Sequence, residues 1–114
     1  KYVATLETLK AERPDVAFIA VTCPLTAIRS GAKESLKKML GRGAPDVEDN
    51  AQRTRFNEAL RARIPADRLF DLAAAESIAN PPSLAAEFTN DGGHLNETGQ
   101  RRVAADFLRV IASV

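Results

Sequence analysis

A run of apolar residues from Val16 to Thr22 constrains the fold of this chain more than any other feature of its sequence. The run is rich in β-branched and aromatic side chains, and Pro14 and Pro24 bound it on either side. Continuous apolar segments of this length are typical of strands buried on both faces, as in a parallel sheet covered by helices. The sequence therefore predicts a central buried strand over residues 16–22.

The remaining hydrophobic pattern predicts helices on both sides of a second, shorter strand. Tyr2, Leu6 and Leu9 recur at helical spacing, and the pattern stops before Pro14. In chain order the predicted elements are a helix over residues 1–12, the strand over 16–22, a short helix over 33–40, an amphipathic helix before Pro65, a strand over 69–72 and a last helix from Glu97. The apolar face of the helix before Pro65 consists of Val47, Ala51, Phe56, Leu60 and Ile64. The apolar stripe of the last helix consists of Val103, Phe107, Ile111 and Val114.

This alternation of helices and strands predicts an α/β layer fold with a parallel sheet. The 114 residues suit a single domain. Two strands alone would leave the edges of the sheet open, and a strand as apolar as residues 16–22 requires neighbours on both sides. We therefore expect the complete sheet to include strands that lie outside this sequence.

Composition and charge argue against several classes of protein. The net charge of +1 gives no sign of a nucleic-acid site. A local cluster of arginines, formed by Arg53, Arg55, Arg61 and Arg63, is interleaved with Glu58 and has no aromatic platform, so it indicates a solvated helix face. The longest apolar run is far too short to be a transmembrane segment. One cysteine excludes an internal disulfide framework and leaves the compartment open. A secreted or periplasmic location would require a signal peptide upstream of Lys1.

The chemistry-bearing motif lies near the C-terminus, where Asp91 precedes the only histidine, His94, by three residues. A neutral imidazole is a useful general base, and a carboxylate on its other nitrogen fixes the tautomer and stabilises the imidazolium. Gly92 and Gly93 let the loop fold tightly enough for the pair to meet. Asn96 is placed to cap the following helix. The loop follows the last predicted strand, and α/β proteins build their sites at the carboxyl ends of parallel strands.

These residues carry a resemblance to a known family. The sequence Asp91-Gly92-Gly93-His94-Leu95-Asn96, followed by Gly99, resembles the final conserved block of the SGNH/GDSL hydrolase family, in which an Asp-x-x-His opens the last helix. The layout ahead of it is also similar, with a helix, a proline, an apolar strand ending in Cys23-Pro24-Leu25, an amphipathic helix and a short strand. The resemblance spans residues 1–114, but only as the C-terminal portion of that domain.

The resemblance implies the three-layer α/β/α, flavodoxin-like fold of the SGNH hydrolases, with about two of its parallel strands present here. It also implies a serine ester hydrolase acting on small carboxylic esters, whether lipid, acyl or acetyl-carbohydrate esters. His94 would be the general base and Asp91 would orient its ring. The Gly-Asp-Ser-type block and the Gly and Asn oxyanion donors of the family have no counterpart in this sequence. We therefore expect them in a missing N-terminal half, and we expect the chain alone to be inactive.

Local replacements for the serine have weaker support. Ser30 lacks the strand–turn–helix setting of a nucleophile elbow and reads as a loop residue. Cys23 follows the buried strand and would lie at the same end of the sheet as His94, so a Cys–His–Asp hydrolase is a third hypothesis. A cysteine at a strand end is more often a small buried apolar residue. Ser35, Ser77 and Ser83 have no distinguishing context.

No cofactor or metal is predicted, because one histidine with scattered carboxylates does not supply the ligand set that zinc prefers. Gly41-Arg42-Gly43 lacks the Lys-Ser/Thr of a phosphate loop and reads as a turn. The alternative to an esterase is a non-catalytic α/β interaction module. In that alternative Asp91 and His94 serve only to order the last helix.

Overall fold

The computed structural model describes residues 1–29, 31, 35–36, 39–41, 45–77 and 82–114. Its helices and strands alternate, and its two strands run parallel, which confirms the general α/β class. The elements are helix α1 (Tyr2–Glu12), strand β1 (Ala20–Val21), helix α2 (Pro45–Arg61), a 3-10 helix (Ala66–Arg68), strand β2 (Leu69–Phe70), helix α3 (Leu72–Glu76), a second 3-10 helix (Ala86–Phe88) and helix α4 (Glu97–Ala112).

The two strands pair in a simple parallel register. Ala20 lies opposite Leu69, and Val21 lies opposite Phe70. The ladder continues past β1, since the backbone N–H of Thr22 donates to the Phe70 carbonyl at 3.1 Å. The crossover between the strands contains α2, as parallel pairing requires a long connection.

The prediction of a strand over residues 16–22 buried on both faces is wrong in extent and in burial. Only Ala20 and Val21 form the strand, and Ala20 is buried whereas Val21 is 41% exposed. Val16 is also exposed. The physical reason is that β1 has a strand neighbour on one side only within the described ranges, so part of its apolar surface is uncovered.

The core lies between the sheet and the first two helices. Ala20, Leu60, Ile64 and Leu69 are its buried residues, with Val3 and Leu6 of α1 packed against them. The helix predicted over residues 1–12 is confirmed, and α1 has no side-chain cap at its N-terminus. The Tyr2 ring also meets the Phe56 ring edge-on, with centroids 6.0 Å apart.

Of the apolar face predicted before Pro65, Leu60 and Ile64 are buried as expected, but the inner side of helix α2 is otherwise polar. Its buried residues are Asn50, Asn57 and Leu60, whereas Val47 and Phe56 are exposed. The helix begins at Pro45, a residue whose fixed φ and missing N–H suit a first turn. Asn50 and Asn57 face the backbone that follows β1. The N–H and carbonyl groups of that backbone require hydrogen-bond partners, which apolar side chains cannot provide.

Helix α4 covers the other side of β2. The rings of Phe107 and Phe70 lie 5.0 Å apart between centroids, at an interplanar angle of 54°. The prediction of a helix from Glu97 is confirmed, but only part of its predicted stripe is covered, because Ile111 and Val114 are exposed.

The helix predicted over residues 33–40 lies largely outside the described residues. The strand predicted over residues 69–72 is shorter than expected, because α3 begins at Leu72. Within the described parts of the chain, no helix has the length and apolar character needed to cross a membrane.

Candidate active site

The loop that carries Asp91 and His94 is closed at its base by pairing between its two ends. Thr89 and Leu95 form an isolated antiparallel bridge. The backbone N–H of Asn96 then donates to the Phe88 carbonyl at 2.8 Å. The loop therefore leaves the 3-10 helix Ala86–Phe88 and returns beside it before α4 begins.

Asp91 holds this loop together through both carboxylate oxygens. Its Oδ1 atom accepts the backbone N–H groups of Gly93 and His94, each at 2.8 Å. Its Oδ2 atom lies 2.7 Å from Nδ1 of the His94 ring. The backbone N–H of His94, the N–H of Gly93 and the His94 ring together hold the pKa of Asp91 well below its usual range. Asp91 is thus an ionised acceptor at neutral pH.

The His94 ring is oriented by Asp91 and open to solvent. Its side chain is 90% exposed. A carboxylate on Nδ1 favours the tautomer that carries its proton there, which leaves the lone pair of Nε2 as a proton acceptor. Nε2 makes no hydrogen bond to any described residue. The structure therefore brings Asp91 and His94 into contact and leaves Nε2 free of described partners, a geometry in which an imidazole can accept a proton.

The start of α4 is held close to this loop by a cap and a glycine. Asn96 caps the helix, as predicted, because its Oδ1 atom accepts the Gly99 N–H at 3.0 Å. A Cβ on Gly99 would lie 2.7 Å from the Phe88 carbonyl oxygen and 2.9 Å from Cδ2 of Leu95. Only glycine permits this close approach of the helix to the loop. Close packing of α4 against the loop therefore requires a glycine at position 99 of the motif.

The segment that follows β1 touches the loop directly. The backbone N–H of Ala27 donates to the Gly92 carbonyl at 2.9 Å. Gly92 has a φ of +86°, in the region that favours glycine. Since Ala27 comes after the carboxyl end of β1, the loop lies at the end of the parallel pair where α/β proteins build their sites.

Two buried asparagines of α2 fix the backbone after β1, and the sequence analysis missed both. Asn57 accepts the Cys23 N–H at 2.7 Å and donates to the Cys23 carbonyl at 2.9 Å. Asn50 accepts the Thr26 N–H at 2.9 Å and donates to the Thr26 carbonyl at 2.7 Å. The available signal was the spacing of seven residues, which places both amides on one helix face.

The same segment is fixed from its other side by residues after β2. Glu76 of α3 accepts the Leu25 N–H at 2.5 Å, and both residues are buried. Thr22 accepts the Ala73 N–H through its hydroxyl and donates to Asp71 at 3.2 Å. Polar side chains thus satisfy much of the backbone that has no strand partner.

No nucleophile is joined to His94 within the ranges that the structure describes. Cys23 is partly buried with its backbone bound by Asn57, and no hydrogen bond joins its thiol to His94. Ser83 is buried and donates its N–H to the Ser77 hydroxyl. Ser35 is exposed, and Ser30 lies outside the described residues. A group that attacks substrate beside His94 would therefore have to come from elsewhere.

Among the described residues no group of three or more His, Cys, Asp or Glu side chains could hold a metal ion. An open groove of about 370 Å³ lies next to the loop, and all of its lining residues except Gln100 are apolar. The residues that line it include Val21, Phe70, Leu72, Leu95, Val103 and Phe107. Leu95, the residue after His94, belongs to the lining, whereas His94 itself does not.

No family model, curated protein or solved structure matches this chain. The geometry of the loop and its surroundings is therefore the basis for assigning a function.

Proposed function

We propose that this chain supplies the Asp–His half of the active site of an SGNH-type serine ester hydrolase. The observation that carries the proposal is the pairing of Asp91 Oδ2 with His94 Nδ1 at 2.7 Å, with the rest of the ring open to solvent. A base held in this way can take a proton from a hydroxyl nucleophile at Nε2 and later deliver it to the leaving alcohol.

The serine and the oxyanion donors belong to a polypeptide segment outside this chain in the proposed enzyme. The sheet supports this part of the proposal, because among the described residues β1 has a strand neighbour on one side only, and Val21 is 41% exposed. An apolar strand added beside β1 would pair with its free side and extend the parallel sheet. Its carboxyl end would then lie near His94, where a nucleophile is required.

The substrate in this proposal is a small carboxylic ester. The acyl-enzyme would form when the serine oxygen attacks the ester carbonyl, and water activated by His94 would then release the acid. The chain alone would hydrolyse esters no faster than a free imidazole does, because it lacks the nucleophile and the oxyanion donors.

Labelling with a fluorophosphonate tests the proposal in the longest natural polypeptide that includes these residues. We expect one labelled serine outside residues 1–114, and we expect His94→Ala to lower kcat for a p-nitrophenyl ester by about 10²- to 10⁴-fold. Thr98→Ala, at an exposed position in the first turn of α4, is the matched control and should retain activity. Unchanged hydrolysis in the His94 variant would rule the proposal out.

A non-catalytic interaction module is the second candidate function. The observation that favours it is that Asp91 Oδ1 accepts two backbone N–H groups, so the carboxylate orders the loop without any chemistry. In that case His94→Ala would leave every biochemical activity unchanged, and Val21→Lys in the apolar groove would abolish binding to the partner.

A further inference from the structure

Asn50 and Asn57 make the same pair of backbone contacts, but Asn50 also accepts from the Thr26 hydroxyl at 3.2 Å, and of the two it is Asn50 that lies on a path to the histidine loop. Each amide binds both the N–H and the carbonyl of one residue, Thr26 for Asn50 and Cys23 for Asn57. Both side chains are buried, at 3% and 1% exposure. Because each amide both accepts from and donates to the backbone of one residue, each holds its peptide segment in a defined position against α2.

The Thr26 carbonyl and the Ala27 N–H belong to one planar peptide unit. At one end of this plane the carbonyl accepts the Asn50 amide at 2.7 Å, a shorter bond than the one it accepts from the Leu84 N–H at 3.2 Å. At the other end the N–H donates to the Gly92 carbonyl at 2.9 Å. Since a peptide plane does not deform easily, a rotation that broke the first bond would also misdirect the second.

We propose that Asn50 is a positioning residue for the Asp91–His94 loop. The internal bonds of that loop, from Asp91 to the amides of Gly93 and His94, set its shape but not its place on the sheet. The Ala27–Gly92 bond is the one hydrogen bond that ties it to the segment after β1 in the described part of the chain. Through this bond Asn50 contributes to the position of the imidazole relative to the strand ends, together with the Phe88–Asn96 bond and the Asn96 cap that hold the loop beside α4.

An effect of Asn50 on a reaction rate rests on the proposed function, whereas its effect on the position of the loop does not. A general base must stand within hydrogen-bond reach of the hydroxyl that it activates, and small displacements cost a large factor in rate. Asn50 touches no reacting atom and acts through Thr26 and Ala27.

Nitrogen-15 relaxation of this chain tests the inference with Asn50→Asp and its matched control Asn57→Asp. Each carboxylate keeps an acceptor and loses the donor to the backbone carbonyl. We expect the order parameters of the Gly92, Gly93 and His94 amides to fall from about 0.85 to below about 0.6 in the Asn50 variant only. Unchanged values, or an equal fall in both variants, would overturn the inference.

Ala27→Pro provides a second route if Asn50→Asp does not fold, because it removes the N–H that binds Gly92 while Asn50 stays in place. The same fall in order parameters at the His94 loop is expected, and rigid values in the folded variant would refute the positioning role. In the longest natural polypeptide, an ester hydrolase should show a lower kcat with unchanged KM in the Asn50 variant. If the chain is not part of an ester hydrolase, only the effect on kcat will be absent. If Asn50 does not position the loop, the order parameters of the loop will stay unchanged.

Discussion

Asp91 binds His94 twice, since its Oδ1 atom accepts the His94 backbone N–H at 2.8 Å and its Oδ2 atom lies 2.7 Å from Nδ1 of the ring. One carboxylate thereby fixes both the loop and the orientation of the imidazole. Substitutions that remove the charge, the acceptor or the ring should therefore have separable effects.

Asp91→Asn should preserve the loop but reverse the tautomer of His94. The amide oxygen can still accept the N–H groups of Gly93 and His94, whereas the amide nitrogen would face Nδ1 and require a lone pair there. The proton would then sit on Nε2, and the ring could not act as a base at that atom. The ring nitrogen shifts of this single histidine report the tautomer directly.

Asp91→Ala is the matched comparison, because it removes the loop acceptors as well. We expect the lowest melting temperature for this variant and an intermediate one for Asp91→Asn, which keeps an acceptor oxygen but loses the charge. The contribution of Asp91 is present above its ordinary pKa of 3.8 and is lost as pH falls, since folding lowers that pKa. An Nδ1-protonated ring in Asp91→Asn would contradict the assigned role of the carboxylate.

The sequence predicts those parts of the fold that local pattern controls. The bounds of α1, the start of α4 and the Asn96 cap follow from helical spacing and from capping chemistry, which act within a few residues. The contact between Asp91 and His94 is likewise local, since three residues separate them. These features require no knowledge of what packs against them.

The features that the sequence does not predict depend on contacts between distant residues. Apolar periodicity favours Val47 and Phe56 as the inner face of α2, yet Asn50 and Asn57 lie inside because the backbone after β1 needs partners. The bond from Ala27 to Gly92 joins two irregular segments that carry no pairing pattern. Hydrophobicity alone cannot identify positions where a buried polar side chain satisfies the backbone.

Glu76 should stabilise the fold through its acceptor and not through its charge. Glu76→Leu would leave the buried Leu25 N–H without a partner, at a cost of about 1–3 kcal/mol in the free energy of unfolding. Glu76→Gln keeps an acceptor oxygen and should be at least as stable as the unsubstituted chain at pH 7. Urea denaturation of both variants measures the difference.

The pH dependence of Glu76 provides an independent check. Burial raises its pKa, partly offset by the Leu25 N–H and by the charge of Arg53. The stabilisation that accompanies protonation is full below the ordinary pKa of 4.5 and is lost as pH rises through the folded pKa. The advantage of Glu76→Gln should therefore shrink as pH falls toward 4.5. An advantage independent of pH would argue against a buried charge.

Arg61 and Asp71 should show the opposite dependence on pH. The guanidinium donates to both carboxylate oxygens, at 2.7 and 2.8 Å, and it is the main cause of the lowered pKa of Asp71. Both side chains are about one third exposed, so Arg61→Met should cost no more than about 1 kcal/mol. That cost should be present above pH 3.8 and disappear as pH falls through the folded pKa.

The matched control is Arg63→Met, at an exposed position with no ion pair to any other described residue. Thermal melts of both variants from pH 7 to pH 2 measure the two costs. Equal losses at neutral pH would show that the Arg61–Asp71 pair contributes nothing specific to stability.

Gly99→Ala should destabilise the protein, because it forces α4 away from the histidine loop. The added Cβ would lie 2.7 Å from the Phe88 carbonyl oxygen and 2.8 Å from the Phe88 Cβ, so the backbone itself must move. Such overpacking costs about 1–3 kcal/mol, which exceeds the gain of up to about 1 kcal/mol from replacing glycine in a helix. Gly93→Ala is the control, because its nearest neighbour would be Asp91 Oδ1 at 3.9 Å. Chemical denaturation should show a loss only for Gly99→Ala, and equal stability of the two variants would mean that the helix is free to shift away from Phe88.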